Sequence, residues 1–159
     1  MHIVLVEPEI PQNTGNISRT CAVTGASLHL VGKLGFSTDD KYLKRSGLDY
    51  WHLLDLHYHN SFEELRQQYP AGRFFFASTK AGRVYSEITY QADDFLVFGK
   101  ETKGLPEDLL QANLSACIRI PMISDARSLN LSNSVAIILY EALRQQGFPG
   151  LKETGKFAL

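Results

Sequence analysis

The sequence predicts an α/β fold: a mainly parallel sheet flanked by helices. Apolar runs of strand length recur along the chain with helical stretches between them, which is the alternation that crossover connections in a parallel sheet require. The 159 residues, 44% of them hydrophobic, are enough for one domain with a full core and too few for two comfortable ones. Residues 1–159 are therefore read as a single domain whose tail, 151–159, is loosely ordered.

Strands are expected at 2–6, 27–31, 53–56, 74–77, 95–98 and 117–120, and helices at 16–25, 39–47, 61–69, 106–112 and 131–146. Local start and stop signals support the helices. Ser61 precedes Glu64 by three residues as in a capping box, Pro106 suits a first helical turn, and Gly25 and Gly147 stand where left-handed caps belong. The last helix carries an apolar stripe of Val135, Ile138, Leu139 and Ala142, and Ile137 and Tyr140 widen it beyond what one sheet face covers. A second partner, such as another subunit, would explain the excess.

Composition narrows the function. A net charge of −1 gives the whole molecule no general attraction to nucleic acid, so RNA binding would have to rest on local patches. Two exist: Lys41-Tyr42-Leu43-Lys44-Arg45, which alone reads as a solvated helix face, and the scattered Arg19, Lys100, Lys103, Arg119 and Arg127. Cys21 and Cys117 form no CxxC and no even framework, and are read as buried, reduced thiols. The N-terminal apolar stretch is broken by Glu7 and Pro8, and no run is long enough to span a bilayer. A soluble, cytoplasmic protein without a membrane partner is expected.

In a parallel sheet, ligands sit at the carboxyl ends of strands, so the loops leaving the strands carry the functional argument. Three are unusual: 7–19, with two prolines and then Asn13-Thr14-Gly15-Asn16; 99–106, Gly-Lys-Glu-Thr-Lys-Gly-Leu-Pro; and 121–133. The last of these holds Ser124, Asp125, Arg127, Ser128, Asn130, Ser132 and Asn133 at a strand-to-helix junction. Capping a helix needs one or two such residues, so a ligand is indicated. Taken alone, Asn13 to Asn16 reads as turn chemistry with an Asn cap, and Gly32-Lys33-Leu34-Gly35 as a plain turn. The 99–106 loop lacks the Lys-Ser/Thr of a phosphate loop, and no GxGxxG follows the first strand. Ser128 has no nucleophile elbow and no histidine lies in these loops, which disfavours hydrolysis. His57 and His59 alternate near a strand end without the further ligands a metal needs.

Three motifs occur in register: N-T-G-N-I-x-R-T from Asn13, F-G-x-E-T-x-G-L-P from Phe98, and I-P-M…S-x-N-L-S-N-S from Ile120. Together they closely resemble the SPOUT class of RNA methyltransferases. The stretches VEPEIPQNTGNISRTCAVTGASLHLV, DDKYLKRSGLDYWH and YEALRQQGFPG resemble its TrmL (YibK) group, minimal members that methylate a ribose at the tRNA wobble nucleotide. The resemblance implies a C-terminal deep trefoil knot, S-adenosylmethionine as cofactor with no metal, a homodimer, and the tRNA anticodon loop as substrate. It places the cofactor on Ala77, Ser78, Gly99, Glu101, Ile120, Met122, Ser128 and Leu129; Ala77 departs from the group, which carries a larger apolar residue. For chemistry it points to Arg19, with Asn13, Glu101 and Asn130 around it. Because a guanidinium keeps its proton, Arg19 is read as orienting the ribose hydroxyl rather than as a simple base. RNA contacts would fall to Arg19, Lys41, Lys44, Arg45 and Lys103, which reverses the solvated-face reading of 41–45; Tyr140 would hold RNA or the dimer, or serve as a core aromatic. A side chain at Gly99 is expected to occupy ligand space. The alternatives are the same chemistry on another RNA, such as ribosomal RNA, and a knotted RNA-binding protein without catalysis.

Overall fold

A computed structural model describes residues 1–37 and 50–157. Seven strands form one sheet in the order β3-β2-β1-β6-β4-β7-β5. They are β1 (His2–Val6), β2 (Ser27–Val31), β3 (Leu56–His59), β4 (Phe74–Ala77), β5 (Arg83–Val84), β6 (Phe95–Phe98) and β7 (Cys117–Arg119). Every neighbouring pair runs parallel. The central strands β1 and β6 are covered on both faces, so they read as unbroken apolar runs rather than as alternation. One face packs Ile3, Leu5, Leu28, Leu96 and Phe98 against helices α1 (Pro11–Thr24) and α4 (Leu131–Gln145). The other packs Val4, Val31, Phe76 and Val97 against α2 (Phe62–Gln68) and Leu110 of the short α3 (Glu107–Gln111).

Most local signals hold. Gly25 caps α1 at φ 71°. After α4, Gly147 (φ 71°) donates its N–H to Arg144 O (3.1 Å) and Phe148 N–H reaches Leu143 O (2.9 Å), the paired bonds of a Schellman stop. The stripe Val135, Ile138, Leu139, Ala142 is buried, while Ile137 and Tyr140 are 37% and 45% exposed. Ser61 receives Glu64 N–H (3.1 Å), but the Glu64 carboxylate reaches one residue further back, to Asn60 N–H (2.7 Å). The box is offset by one.

Three expectations need correction. The strand expected at 53–56 lies at Leu56–His59, because Trp51–Leu53 closes a 3-10 turn in which Leu53 N–H meets Tyr50 O (2.9 Å). Pro106 is the N-cap of α3 rather than a residue of its first turn. And α1 begins at Pro11, five residues earlier than expected, so that Asn13 to Asn16 are helical and not a turn. The helix expected at 39–47 lies outside the described residues. Among the described residues no helix is long and apolar enough to cross a membrane, both cysteines are buried and free, and residues 151–157 carry neither helix nor strand.

Beneath α2, histidines from three strands form a ladder. His2 Nδ1 lies 3.0 Å from His29 Nε2, and His29 Nδ1 lies 2.9 Å from His59 Nε2. His57 stacks on His29 at 4.8 Å between ring centroids and pairs with Asp55 at 2.9 Å. Burial drives the fully enclosed His29 down to about 3. These ring nitrogens bond to one another, and among the described residues no group is arranged to hold a metal ion.

Candidate active site

At the carboxyl edge of the sheet, the chain leaving β1, β4, β6 and β7 surrounds a cavity of about 630 Å³. Its wall contains Asn13, Gly99 and Ser128, one from each loop that the sequence singles out. All eight positions expected to bind cofactor line it: Ala77, Ser78, Gly99, Glu101, Ile120, Met122, Ser128 and Leu129. So do Asn130 and Lys103. Arg19 and Tyr140 do not. Arg19 sits on the exposed side of α1, six residues or about 9 Å of rise beyond Asn13, and its guanidinium lies over the Tyr50 ring. Tyr140 is exposed on α4. Lys41, Lys44 and Arg45 lie outside the described residues.

A chain of hydrogen bonds fixes the three loops. Glu101 accepts from Glu9 N–H (2.8 Å), Ile10 N–H (3.2 Å) and Asn13 Nδ2 (3.0 Å). Asn130 donates from Nδ2 to Asn13 Oδ1 (3.0 Å), and its own Oδ1 accepts from Ser132 N–H (2.9 Å) and Oγ (2.6 Å). Ile10, the N-cap of α1, has no side chain able to cap. Glu101, ninety-one residues from Ile10, accepts the N–H groups of Glu9 and Ile10 just ahead of the helix, where a carboxylate suits its positive end. Pro11 takes the first helical position, where a missing N–H costs nothing.

Charges lace the same two loops together. Lys100 donates to Glu7 (2.6 Å), a bond that raises the lysine above its ordinary range, and Thr102 Oγ1 donates to Glu9 (2.7 Å). Glu7 takes a left-handed backbone, φ 50°, where the chain turns out of β1. Gly35 N–H bonds Pro8 O (2.9 Å), so the 32–35 turn buttresses this loop. Sequence reasoning missed Glu7, Glu9 and Thr102. The matching alternation of Glu7-Pro8-Glu9 and Lys100-Glu101-Thr102 was a signal available to find them.

Gly99 lines the cavity and is constrained by its own loop as well. A Cβ there would lie 2.1 Å from Gly104 C and Leu105 N, so its constraint is the return of its own loop, which closes through Gly104 N–H to Lys100 O (2.8 Å). The cavity also touches Thr79, Lys80 and Arg127, which sequence reasoning left out of the site. Lys80 pairs with Glu107 at the start of α3, and that bond holds the Glu107 carboxyl below its usual range. Of the four cations on the wall, Lys80 and Lys100 are therefore neutralised. Lys103 and Arg127 are exposed and have no ion pair among the described residues. Neither histidine nor cysteine lines the cavity. What the wall offers is backbone at glycines and small residues, apolar flanks from Ile120, Leu129 and Ile138, and a polar rim with two free positive charges. That suits a mostly flat, partly polar organic ligand next to an anionic one.

Comparisons with known proteins agree with this geometry. Residues 1–140 match the SpoU rRNA Methylase family profile. The chain is 51% identical over 162 residues to the tRNA (cytidine(34)-2'-O)-methyltransferase of Yersinia pestis, covering 96% of this chain and 99% of that one. A solved structure described as "Structural insights into the 2-OH methylation of C/U34 on tRNA" is 43% identical, with a TM-score of 0.88 and coverage of 92% and 95%. The SpoU methyltransferase AviRb of Streptomyces viridochromogenes, solved with AdoMet, is 25% identical with a TM-score of 0.83, covering 92% of this chain and 60% of that one.

Proposed function

The chain belongs to the SpoU rRNA Methylase family, and we propose that it transfers a methyl group from S-adenosylmethionine to the ribose 2′-hydroxyl of the wobble nucleotide of tRNA, cytidine or uridine. One observation carries this reading: the eight positions to which the resemblance assigns the cofactor line a single cavity. Residues 1–159 act as one catalytic domain.

The wall fits the cofactor. Ser78, Gly99, Ile120 and Leu129 present backbone groups and small or apolar surfaces to a planar base, and about 630 Å³ is within the usual range for a ligand of that class. Bound there, the group supplies a methyl made electrophilic by its sulfonium. The chain's own part is alignment, since a well-placed attack geometry accounts for much of such a rate. Glu101, Asn13 and Asn130 spend their polar atoms on one another and on the backbone, so they hold the loops in place instead of handling the proton. Arg19 orients the ribose hydroxyl and steadies the oxyanion through its N–H groups. Lys103 and Arg127 remain free for RNA phosphates.

Arg19 lies outside the cavity of its own chain, which favours a homodimer with the site near the interface. The exposed apolar surface supports this: Val23 on α1 and Ile137 and Tyr140 on α4 are 45%, 37% and 45% exposed. The knot belongs to the same proposal. β7 lies between β4 and β5, and α4 bonds to the chain joining β5 and β6, through Gln145 Nε2 to Ile88 O (2.9 Å) and Tyr90 N–H to Gln145 Oε1 (3.0 Å). A C-terminal segment drawn through the 78–94 loop would take this position.

The test is nucleoside mass spectrometry of tRNA from cells with and without the gene, mapped to the wobble residue, beside transfer of labelled methyl into tRNA and ribosomal RNA. Loss of wobble 2′-O-methylation and label in tRNA are expected. Label in ribosomal RNA alone would replace the substrate; no label in either would leave an RNA-binding protein.

A further inference from the structure

Arg19 is held in an unusual way for a functional arginine. Its guanidinium carbon lies 4.8 Å from the centre of the Tyr50 ring. Among the described residues this is the shortest arginine-to-ring approach, against 5.3 Å for Arg73 over Phe75 and 5.5 Å for Arg66 over Phe74. Two other arginines are held by carboxylates instead. Arg144 gives two donors to Glu141, at 2.8 and 2.9 Å, and Arg73 pairs with Asp94 at 3.1 Å. Among the described residues no carboxylate lies within ion-pair distance of Arg19.

The distinction has a chemical consequence. A carboxylate would fix the guanidinium by taking its N–H donors and cancelling its charge, leaving little for a phosphate or a developing alkoxide. An aromatic ring holds the guanidinium by its face. It restricts the plane of a long, flexible side chain, keeps the charge, and leaves the five N–H donors on the edge. Tyr50 is itself anchored: it is half-buried, and its carbonyl closes the turn that leads into Trp51–Leu53 by accepting from Leu53 N–H (2.9 Å).

Building on the methyl-transfer reading above, we propose that Tyr50 is a positioning residue for Arg19, orienting the guanidinium plane through ring stacking so that its donors face the ribose and phosphate of the bound RNA.

The test compares the rate of methyl transfer in a single turnover at saturating tRNA, with cofactor affinity by calorimetry and the thermal midpoint as controls. Tyr50→Met should slow transfer about three- to tenfold, the range expected for losing a partly exposed cation–ring contact, with cofactor affinity unchanged. Tyr50→Phe and Tyr50→Trp, which keep a ring, should rescue the rate to within about twofold of the unaltered chain. Stepwise fluorination of a phenylalanine at position 50 keeps the volume while draining the ring face, and should lower the rate with each fluorine. This series decides the matter even if Tyr50→Met fails to fold. A rate indifferent to fluorine, or Tyr50→Phe as slow as Tyr50→Met, would overturn the proposal. Failure of the underlying reading has a different signature: the unaltered chain would leave tRNA unlabelled, or Arg19→Ala would transfer methyl at full rate.

Discussion

Glu101, Asn13 and Asn130 join three loops at the carboxyl edge of the sheet, while His2, His29 and His59 join three strands across its face, and the two chains of polar groups obey different rules. In the loops an ionised carboxylate receives three donors at a helix N-terminus, and each amide uses both its donor and its acceptor. In the ladder, neutral rings each share one ring proton with a neighbour, and the last nitrogen, His59 Nδ1, is buried without a partner among the described residues. The loop clasp draws its strength from charge, and the ladder keeps its geometry only while uncharged. The first pins the loops of the site to one another. The second ties the fold to neutrality.

The severest way to break the clasp is Gly99→Val. Any Cβ at position 99 collides with the backbone of Gly104 and Leu105, so the 99–105 loop must open and carry Glu101 with it. Methyl transfer should fall about a hundredfold or more, as a misplacement near an ångström costs at such sites, and cofactor affinity by calorimetry should fall with it. Normal binding would mean that this loop does not form the pocket wall. Glu101→Ala comes next. It strands Glu9 N–H, Ile10 N–H and Asn13 Nδ2, at a cost of about 1.5–3 kcal/mol in urea unfolding, the range for hydrogen bonds to a charged group, with turnover about a hundredfold lower. Glu101→Gln, which retains an acceptor, should recover part of both. If Glu101→Ala lowers turnover and leaves stability untouched, the carboxylate takes part in the chemistry and the structural assignment fails.

The ladder should fail by acid. Burial holds His29 at about 3 in the folded chain against an ordinary value of 6.5, and it lowers His2 and His59 as well. A folded value below the unfolded one means that the unfolded chain binds protons first, so the stabilisation is complete above about pH 6.5 and drains away as pH falls toward 3. Urea midpoints should drop steadily over that window. His29→Phe should flatten the slope even if it lowers stability at pH 7. An equal slope in the variant would place the acid response elsewhere.

The two regions also differ in how far the sequence revealed them. Strands β1, β2, β4 and β6 were legible because runs such as Phe-Leu-Val-Phe are buried on both faces. The three loops of the cavity wall were legible because they leave strand ends, and its eight cofactor positions came from the resemblance to the SPOUT class. The start of α1 was missed although Pro11 signals it at the first helical position, and the Glu101 contacts that fix the chain ahead of it come from a distant loop. β3 was misplaced because Leu-His-Tyr-His looks polar on paper, and only the neighbouring histidines make its ring nitrogens tolerable in a core. Arg127 and Lys103 differ from Lys100 and Lys80 through pairing alone, and pairing between distant loops leaves no local trace.

The mildest change separates the regions most cleanly. Ser61 caps α2 by accepting Glu64 N–H at 3.1 Å, and α2 presses Phe62 and Leu65 onto the face that carries the histidines. Ser61→Ala should cost about 1 kcal/mol, lowering the thermal midpoint by about 2–4 °C. Glu64 stays bonded to Asn60 through both its N–H and its side chain, so the helix frays at one turn and does not detach. Because the loss falls on the ladder side, the acid midpoint should rise toward neutrality while methyl transfer at pH 7 keeps its rate. The clasp reaches α1, α4 and the loops between them without touching α2. A fall in turnover that parallels the fall in stability would show that the two networks share one cooperative unit.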